Sequence, residues 1–272
     1  MRPLAIAQSP AALVFDQLAK EYDDVFTNSM VGRAQRDAVW SVLTRIFRSG
    51  DHVLELNCGT GEDAFFLAHN GISVTACDAS EQMIQVATGR QCEEALEVPV
   101  QFSLLPTERI RDLQPSSQFD GIFSNFSGFN CIPDLKQTAE DLATLLSPGA
   151  PLLVCLSTRF CIWEMLWFTL HGNFRKASRR CFGHAIARVG ELTVDVYYPT
   201  IRQLQTLFSP SFVLRSCSGV GVTVPPSYVE AWIRNHPKLF RMLRTIDKAI
   251  STYPGFRVLG DHVLLHFERV QI

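Results

Sequence analysis

The stretch Val53-Leu54-Glu55-Leu56-Asn57-Cys58-Gly59-Thr60-Gly61-Glu62 decides the fold of this 272-residue chain. Its short apolar run is typical of a buried strand, and the two glycines that follow indicate a sharp turn into a helix. Glycine suits such a turn because it accepts backbone angles that a side chain would obstruct, and because a ligand can approach its peptide groups closely. The stretch therefore predicts a nucleotide-type cofactor loop.

The segments that follow complete a βαβ unit. Residues 62–70 place apolar side chains on one side of a helix, Gly71 ends it, and a second apolar strand over 72–77 leads to Asp78. An acid at the tip of the second strand, about twenty residues past the glycine loop, is suited to accept both hydroxyl protons of a ribose. Asp78 also opens the sequence Asp-Ala-Ser-Glu, which is typical of a helix N-terminus. Binding a ribose and capping the helix are compatible roles.

Two cofactor classes use such a unit. The pattern Gly59-x-Gly61-x-x-Ala64 satisfies the dinucleotide motif, which alone has low specificity. Glu55 lies inside the strand, four residues before Gly59, where a carboxylate would repel a pyrophosphate but would favour a cationic sulfonium and an ammonium group. The residues favour the sulfonium class. An NAD-type oxidoreductase and a catalytically inactive cofactor-binding partner subunit remain as alternatives.

The chain resembles the class I S-adenosylmethionine-dependent methyltransferases, whose first motif has the form E/D-x-x-x-G-x-G. The similarity continues in order through 78–84 (D-A-S-E-Q-M-I), 119–125 (F-D-G-I-F-S-N) and 145–154, where Ala150 replaces the second glycine of a P-G-G turn. Upstream, residues 15–23 resemble the N-terminal helix that closes over the methionine end of the cofactor. The resemblance spans about residues 15–156.

The resemblance implies an α/β fold. We expect a Rossmann-like three-layer sandwich whose seven-stranded, mostly parallel sheet has the order 3-2-1-4-5-7-6 with strand 7 antiparallel, together with an added lid segment. Residues 1–272 would form a single methyltransferase domain, with a helical cap over 1–49, a cofactor-binding core over 50–156, a lid or acceptor segment over 157–200 and a C-terminal sheet edge over 201–272. That edge carries a helical insertion at about 225–260, with a helix at about 228–251.

The resemblance also implies the cofactor and its site. S-adenosyl-L-methionine would give its methyl group to a small, apolar or aromatic acceptor by in-line displacement, leaving S-adenosyl-L-homocysteine. Pro106 stands where the family places an acid beside the adenine, so its neighbours are expected to take over that contact. The residues implied for cofactor binding are Tyr22, Arg33, Glu55, Asn57, Cys58, Gly59, Gly61, Asp78, Ala79, Met83, Thr107, Glu108, Ser124 and Asn125.

The segments after the fourth strand predict the acceptor side. Residues 125–130 (N-F-S-G-F-N) lack the N/D-P-P-Y/F tetrad of enzymes that methylate nucleobases or amides, which argues against those acceptors. Acceptor contacts are expected from Phe126, Asn130, Trp163 and Tyr198. His171, His184, Tyr197 and Tyr198 are candidate proton acceptors, but none of them stands in a recognisable motif. We therefore assign no catalytic base.

Residues 159–188 open with the aromatic stretch F-C-I-W-E-M-L-W-F-T-L and continue into clustered arginine and lysine. In one interpretation the aromatic side chains pack a helix on the sheet, and the arginines are its solvated continuation. In the other the segment is a lid or a peripheral membrane patch, since aromatic side chains beside cations suit an interface. Residues 191–198 alternate and predict one added strand.

Composition limits the classes of binding partner and the cellular compartment that we expect. The net charge of −2 gives no general attraction to nucleic acid. No apolar run is long enough for a transmembrane helix or a signal peptide, so we expect a cytoplasmic enzyme. The 8 cysteines form no C-x-x-C pair, which predicts buried free thiols and no metal site. No pattern indicates the oligomeric state.

Overall fold

In a computed structural model the description covers residues 9–96, 98–115 and 117–271. Within these ranges seven strands form one sheet and two more form a separate hairpin. In chain order the strands are β1 (His52–Leu56), β2 (Ser73–Asp78), β3 (Val100–Leu104), β4 (Gly121–Ser124), β5 (Pro151–Ser157), β6 (His184–Val189), β7 (Leu192–Tyr197), β8 (Phe212–Val220) and β9 (His262–Arg269).

The main sheet has the strand order β3-β2-β1-β4-β5-β9-β8. Strands β1 to β5 pair in parallel, whereas β9 runs antiparallel to both β5 and β8. The hairpin of β6 and β7 shifts the strand numbers, so β8 and β9 are strands 6 and 7 of the predicted order. The predicted α/β fold and its strand order are confirmed.

Helices cover both faces of this sheet. They are α1 (Pro10–Tyr22), α2 (Met30–Ile46), α3 (Glu62–His69), α4 (Glu81–Gln91), α5 (Leu135–Leu145), α6 (Ile162–Leu170), α7 (Phe174–Ser178), α8 (Ile201–Phe208), α9 (Glu230–Arg234) and α10 (Pro237–Ile250). Because side chains alternate along a strand, Leu54 and Leu56 of β1 pack toward α5 and α8, while Val53 packs toward α2 and α3. Burial on both faces explains the nearly continuous apolar strand sequences.

The N-terminal cap predicted over 1–49 contains α1, a π-helical turn over Asp23–Thr27 and α2; its first eight residues lie outside the described ranges. The side chain of Ser9 accepts the backbone N–H of Ala12, which fixes the start of α1. The start of α2 is bound from a distant part of the chain, because the Glu230 carboxylate accepts the N–H groups of Met30 and Val31, each at 3.0 Å.

The segment predicted as a lid, 157–200, differs from the sequence expectation in two respects. The strand predicted over 191–198 is β7, but it pairs with β6, which the sequence analysis missed. The arginines after α6 do not all continue into solvent. Arg180 is buried in a turn over Arg179–Phe182, and both Arg179 and Arg180 form ion pairs with the buried carboxylate of Glu164.

The insertion over 225–260 is not one helix. A short turn over Ser227–Val229 leads into α9. The helix α10 begins separately at Pro237, because the residue before a proline rarely adopts helical backbone angles. Ile233 and Phe240 of the insertion pack against Val31 and Ala34 of α2. The insertion therefore holds the N-terminal cap against the sheet. No helix in the described ranges is both long and apolar enough to cross a membrane.

Candidate functional site

The loop between β1 and α3 has the left-handed backbone that its glycines predict. Gly59 has φ +55° and Gly61 has φ +81°, and Asn57 before them has φ +55°. At Gly61 an added Cβ would also lie 2.9 Å from the Phe102 ring. At Gly59 it would meet no atom within 4 Å, so this residue borders open space. The loop can therefore admit a ligand against its backbone at Gly59.

Asp78 at the end of β2 ties this loop to the second strand. Its Oδ2 accepts the N–H of Gly59 and its Oδ1 accepts the N–H of Ser80, both at 2.8 Å. Burial raises the pKa of Asp78 above its usual range, and the hydrogen bonds from the backbone partly oppose that rise. A carboxylate oxygen that has accepted one hydrogen bond keeps a second lone pair, so Asp78 can still accept from a ligand.

A cavity, called here the first cavity, opens where these strands and α1 meet. It lies at the carboxyl ends of the parallel strands, where open α/β sheets bind ligands. It is lined by Ala11, Ala12, Phe15, Tyr22, Arg36, Asn57, Cys58, Gly59, Thr60, Glu62, Asp63, Asp78, Ala79, Met83, Asn125, Phe126, Gly128 and Cys131.

Arg36 supplies a buried cation to the first cavity. Its Nη1 donates to Asp63 Oδ2 at 2.5 Å, and Asp63 also accepts from Trp40 Nε1 at 2.6 Å and from Asn125 Nδ2 at 2.9 Å. The guanidinium lies over the Phe126 ring, 5.0 Å from its centroid. The Nε of Arg36 is buried without a hydrogen-bond partner in the described part of the chain. An enclosed charged donor of this kind suits a ligand carboxylate.

Glu55 lies beneath the first cavity and is not part of its wall. It is 1% exposed, and its Oε2 has no hydrogen-bond partner among the residues that the structure describes. Burial raises the pKa of Glu55 well above its usual range; Asp63 and Asp78 raise it further, and Arg36 opposes them. Three carboxyl groups and one guanidinium thus lie within electrostatic range of one another at Glu55, and a cationic ligand beside them would favour the charged form of Glu55.

Most of the residues predicted for cofactor binding meet in the first cavity. Those that line it are Tyr22, Asn57, Cys58, Gly59, Asp78, Ala79, Met83 and Asn125.

Five others predicted for this role, besides Glu55, lie outside the wall. Thr107 and Ser124 both donate their hydroxyl hydrogens to Asn57 Oδ1, at 3.4 Å and 3.1 Å, and so orient Asn57. Gly61 is the N-cap residue just before α3, and Glu108 is exposed. Arg33 pairs with Glu62 instead of reaching the cavity.

A second cavity adjoins the first. Tyr22 and Phe126 line both, and Phe126 has φ +43°, a conformation that L residues rarely adopt and that is common at functional sites. The second cavity is lined by Leu18, Glu21, Tyr22, Val25, Phe26, Phe126, Ser157, Arg179, Arg180, Pro226, Ser227, Tyr228, Asp261 and His262.

The structure does not bring the other predicted acceptor contacts to either cavity. Asn130 is buried, with its amide bound to the backbone of Ser157 and Tyr197. Trp163 donates its Nε1 hydrogen to the Thr223 carbonyl. Tyr198 is buried beneath the Arg180 guanidinium, 5.6 Å from its ring centroid.

The candidate proton acceptors also lie elsewhere. His171 is exposed and bound to the Trp167 carbonyl, His184 is exposed and bound to Asp195, and Tyr197 faces a separate surface pocket beside α8. Across the described ranges no group of three or more His, Cys, Asp or Glu side chains could hold a metal ion.

Sequence reasoning missed Arg36, Asp63 and His262. Arg36 lies on the same helix as Arg33, and only its packing against Phe26 and Phe126 selects it for the cavity. His262 begins β9, and its register partner is Ser157 at the end of β5. Because β9 is antiparallel, its first residue lies at the edge where the parallel strands end. That rule could have located His262.

Comparisons with known proteins agree with this geometry. A family model described as a methyltransferase domain matches residues 53–149. A demethylmenaquinone methyltransferase of Leptospira interrogans is 28% identical over 143 residues, which cover 51% of this chain and 57% of that protein. The chain thus spans little more than half the length of that curated relative.

Solved structures share the fold at low identity. An S-adenosylmethionine-dependent methyltransferase from Clostridium acetobutylicum has a TM-score of 0.59 at 12% identity and covers 94% of this chain and 99% of its own. The [4+2]-cyclase SpnF has a TM-score of 0.64 at 15% identity, with 98% of both chains covered. At these identities the likeness concerns the fold alone.

The fold and the glycine loop, with Asp78 beside it, define a nucleotide-cofactor protein of the Rossmann-like class. Together with the methyltransferase domain matched over residues 53–149, they support the resemblance to the class I S-adenosylmethionine-dependent methyltransferases that the sequence indicates. The matched residues end before β5 and the segment 157–200.

Proposed function

We propose that this chain binds S-adenosyl-L-methionine in the first cavity and transfers its methyl group to a small apolar or aromatic acceptor in the second. The observation that carries the proposal is the shared wall of Tyr22 and Phe126 between the two cavities. Methyl transfer requires two molecules to meet in line while water is excluded. Adjoining cavities separated by two aromatic side chains suit that requirement.

The residues of the first cavity fit the proposed cofactor. Asp78 would hold the ribose hydroxyls, the unpaired Nε of Arg36 would donate to the amino-acid carboxylate, and Ala79 and Met83 would lie against the adenine. The carboxyl groups of Glu55, Asp63 and Asp78, which act on one another across this site, would favour the cationic sulfonium and ammonium groups. When bound, the sulfonium supplies an already activated methyl group.

An apolar lining supports the proposed class of acceptor. Leu18, Val25, Phe26 and Phe126 contribute apolar surface to the second cavity, and Tyr228 lies at its edge. The relative named demethylmenaquinone methyltransferase suggests an aromatic ring acceptor for the first assay. The matched family domain ends at residue 149, so the acceptor is to be identified by experiment.

Calorimetric titration tests the cofactor. We expect S-adenosyl-L-homocysteine to bind and NAD not to bind. Asp78→Asn should weaken that binding by about 1.5–3 kcal/mol, the contribution of hydrogen bonds to a charged group. Asp112→Asn is the matched control, because Asp112 pairs with Arg109 far from the cavity wall. Binding of NAD without S-adenosyl-L-homocysteine would favour the oxidoreductase alternative and overturn the proposal.

Transfer of a labelled methyl group tests the reaction. We expect the labelled methyl of S-adenosyl-L-methionine to appear on a member of an acceptor panel that contains demethylmenaquinone, simple phenols, amines and thiols. Cofactor binding without transfer to any of them would favour a cofactor-binding partner subunit that has no catalytic activity.

We also propose that the outer face of α6 and α7 contacts an anionic membrane surface. Leu170 is 83% exposed and Phe182 is 81% exposed, and Phe174 lies between them in sequence. Arg175 and Lys176 are exposed on the same short segment. Apolar side chains beside cations are suited to the boundary between lipid headgroups and acyl chains.

A further inference from the structure

His262 and Glu21 are titratable residues of the second cavity that the proposed function does not yet use, and of the two only His262 is buried. It is 7% exposed, and its ring lies edge-on to Phe126 with the centroids 5.3 Å apart. Its Nδ1 is buried without a hydrogen-bond partner in the described ranges; the nearest acid oxygen, Oδ2 of Asp261, is 3.6 Å away. Phe126 also lines the first cavity, so the imidazole lies one ring away from it.

Three of the charged groups that line the second cavity with His262 are already paired, namely Arg179, Arg180 and Asp261, whereas Glu21 on α1 is exposed to solvent. Arg180 donates to both Glu164 and Asp261, and Arg179 donates to Glu164. Asp261 also accepts from Gln35 Nε2 at 3.3 Å. Two guanidinium groups thus face two carboxylates, which leaves the imidazole as a buried acid-base group of this wall whose Nδ1 has no hydrogen-bond partner in the described ranges.

The tyrosines of the second cavity are poor proton acceptors. Burial raises the pKa of Tyr22 to about 12, and burial also raises the pKa of Tyr228. Both phenols therefore stay protonated at neutral pH. Burial lowers the pKa of His262, Arg180 lowers it further, and Asp261 opposes them, so the imidazole is neutral and able to accept a proton at pH 7.

Resting on the proposed function, we infer that His262 is the general base of the reaction and that the acceptor is a planar compound with a phenolic or enolic hydroxyl. A phenol has a pKa near that of tyrosine, about 10, and is protonated at neutral pH, so its oxygen needs a base. In this step His262 accepts the hydroxyl proton through Nε2, the nitrogen opposite the one facing Asp261.

The step balances in atoms and charge. The acceptor oxygen forms a bond to the methyl carbon as its O–H bond breaks, and the carbon–sulfur bond breaks with its electron pair going to sulfur. The sulfonium thus becomes a neutral thioether, and the positive charge passes to the imidazolium, which releases its proton to solvent. Phe26 and Phe126, whose rings pack edge to face with centroids 5.0 Å apart, would together form one apolar side of the acceptor's position in the second cavity.

The test compares two phenols, one with an ordinary hydroxyl and one whose hydroxyl is already ionised at neutral pH. We expect His262→Asn to slow transfer of a labelled methyl to the ordinary phenol by on the order of 10²–10⁴-fold, the usual contribution of a general base. The ionised phenol needs no base, so its rate should fall by less than about tenfold. His184→Asn, an exposed histidine on β6, is the matched control and should leave both rates unchanged.

A pH profile separates a base from a merely structural histidine. The wild-type rate should fall as the pH drops through the lowered pKa of His262, with Asp261 and Arg180 remaining charged, and this acid limb should be absent in His262→Asn. Affinity for S-adenosyl-L-homocysteine and the melting temperature report whether the variant is folded; if His262→Asn does not fold, His262→Gln takes its place.

Four outcomes would overturn the inference. They are equal losses with both phenols, no loss with either, an unchanged acid limb in the variant, and no phenol methylated by the wild type. In the last case, transfer to an amine or a thiol would leave the proposed function standing. Failure to bind S-adenosyl-L-homocysteine at all would instead remove the proposed function itself.

Discussion

At the residue scale, Arg36 is the side chain that best distinguishes this site from a generic glycine loop. It is buried, it holds Asp63, and its Nε lacks a partner in the described ranges although it is enclosed. A buried donor without a partner costs free energy, which a bound carboxylate would recover. Arg36 is therefore the residue on which cofactor affinity should depend most.

We expect Arg36→Lys to weaken binding of S-adenosyl-L-homocysteine by about 1.5–3 kcal/mol, because lysine keeps the charge but cannot reproduce the forked donors. Arg33 lies one turn earlier on α2 and pairs with Glu62. The Arg33→Lys variant should therefore bind S-adenosyl-L-homocysteine as the wild type does. Calorimetry measures both affinities. Equal affinity of Arg36→Lys and the wild type would contradict this role.

Glu55 should lower the free energy of unfolding and, at the same time, favour binding of the cationic sulfonium cofactor. Its raised pKa means that the charged form is costly in the folded protein, so Glu55→Gln should raise the free energy of unfolding by about 1–3 kcal/mol. This gain in the free energy of unfolding should be full above the pKa that Glu55 has in the folded protein. It should vanish as the pH falls toward the pKa in the unfolded chain, about 4.3, because Glu55 is then protonated in both the folded and the unfolded state. Denaturant titration across pH measures it.

The same Glu55→Gln variant should bind the sulfonium cofactor less selectively. The wild type should prefer S-adenosyl-L-methionine, a cation at sulfur, over the neutral thioether product by more than the variant does. Competition titrations give the ratio of the two affinities. An unchanged ratio would show that Glu55 has no electrostatic role toward the sulfur.

The sequence indicates the residues whose role follows from local pattern. Gly59 and Asp78 lie at fixed places in a βαβ unit, and the structure brings them together. Arg36 and His262 could not be selected from pattern alone, because their positions depend on contacts with residues distant in sequence. Asn130 and Trp163 have plausible chemistry, but nearby carbonyl groups take up their hydrogens.

At the element scale, the ion pairs of α6 fix the segment that carries the proposed membrane face. Glu164 is 1% exposed and accepts from Arg179 at 2.7 Å and 3.0 Å and from Arg180 at 2.9 Å. Arg180 also binds Asp261, the neighbour of His262. This network therefore joins α6 to the wall of the second cavity.

Removing the Glu164 charge should destabilise the protein strongly. We expect Glu164→Gln to lower the free energy of unfolding by about 3–5 kcal/mol, because it leaves buried Arg180 with an incomplete set of partners. Glu268→Gln is the matched control; its ion pair with Arg215 lies at the surface and should contribute little. Chemical denaturation measures both variants, and similar stability of the two would contradict the structural role of Glu164.

Local sequence predicts an element only where burial, on one face or on both, leaves a pattern. The amphipathic α8 and the apolar core strands meet this condition. Strand β6 alternates between exposed and half-buried residues and contains two alanines, so its periodicity is weak. Its partner β7 is more distinct, which explains why the sequence predicts one strand of the hairpin and not the other.

At the scale of the whole molecule, the exposed apolar side chains of α6, α7 and the turn after them should give the protein affinity for lipid. We expect it to sediment with vesicles that contain phosphatidylserine, and less so at high salt, because part of the attraction is electrostatic. The double variant Leu170→Ser and Phe174→Ser should bind the vesicles at least about tenfold more weakly, because it loses the free energy of burying two large apolar side chains.

The control for this experiment is Met242→Ser on α10, which removes an exposed apolar side chain, 53% exposed, from a different surface. It should sediment as the wild type does. Failure of the wild-type protein to sediment with any vesicle would refute the membrane contact and leave the methyl-transfer proposal unaffected.

The cap that Glu230 provides for α2 also bears on how the chain is made. The carboxylate and the two amides it binds are separated by 200 and 199 residues, so the ribosome must synthesise most of the protein before this contact can form. At about 5–20 residues per second, the delay is on the order of 10 to 40 s. During that interval β1 to β5 can assemble, while the helix that carries Arg36 has only its local cap from Ser29 and lacks the hydrogen bonds from Glu230 and the packing against α9 and α10. The helix that supplies Arg36 to the first cavity thus gains its contacts with Glu230 only when about 200 further residues have been synthesised.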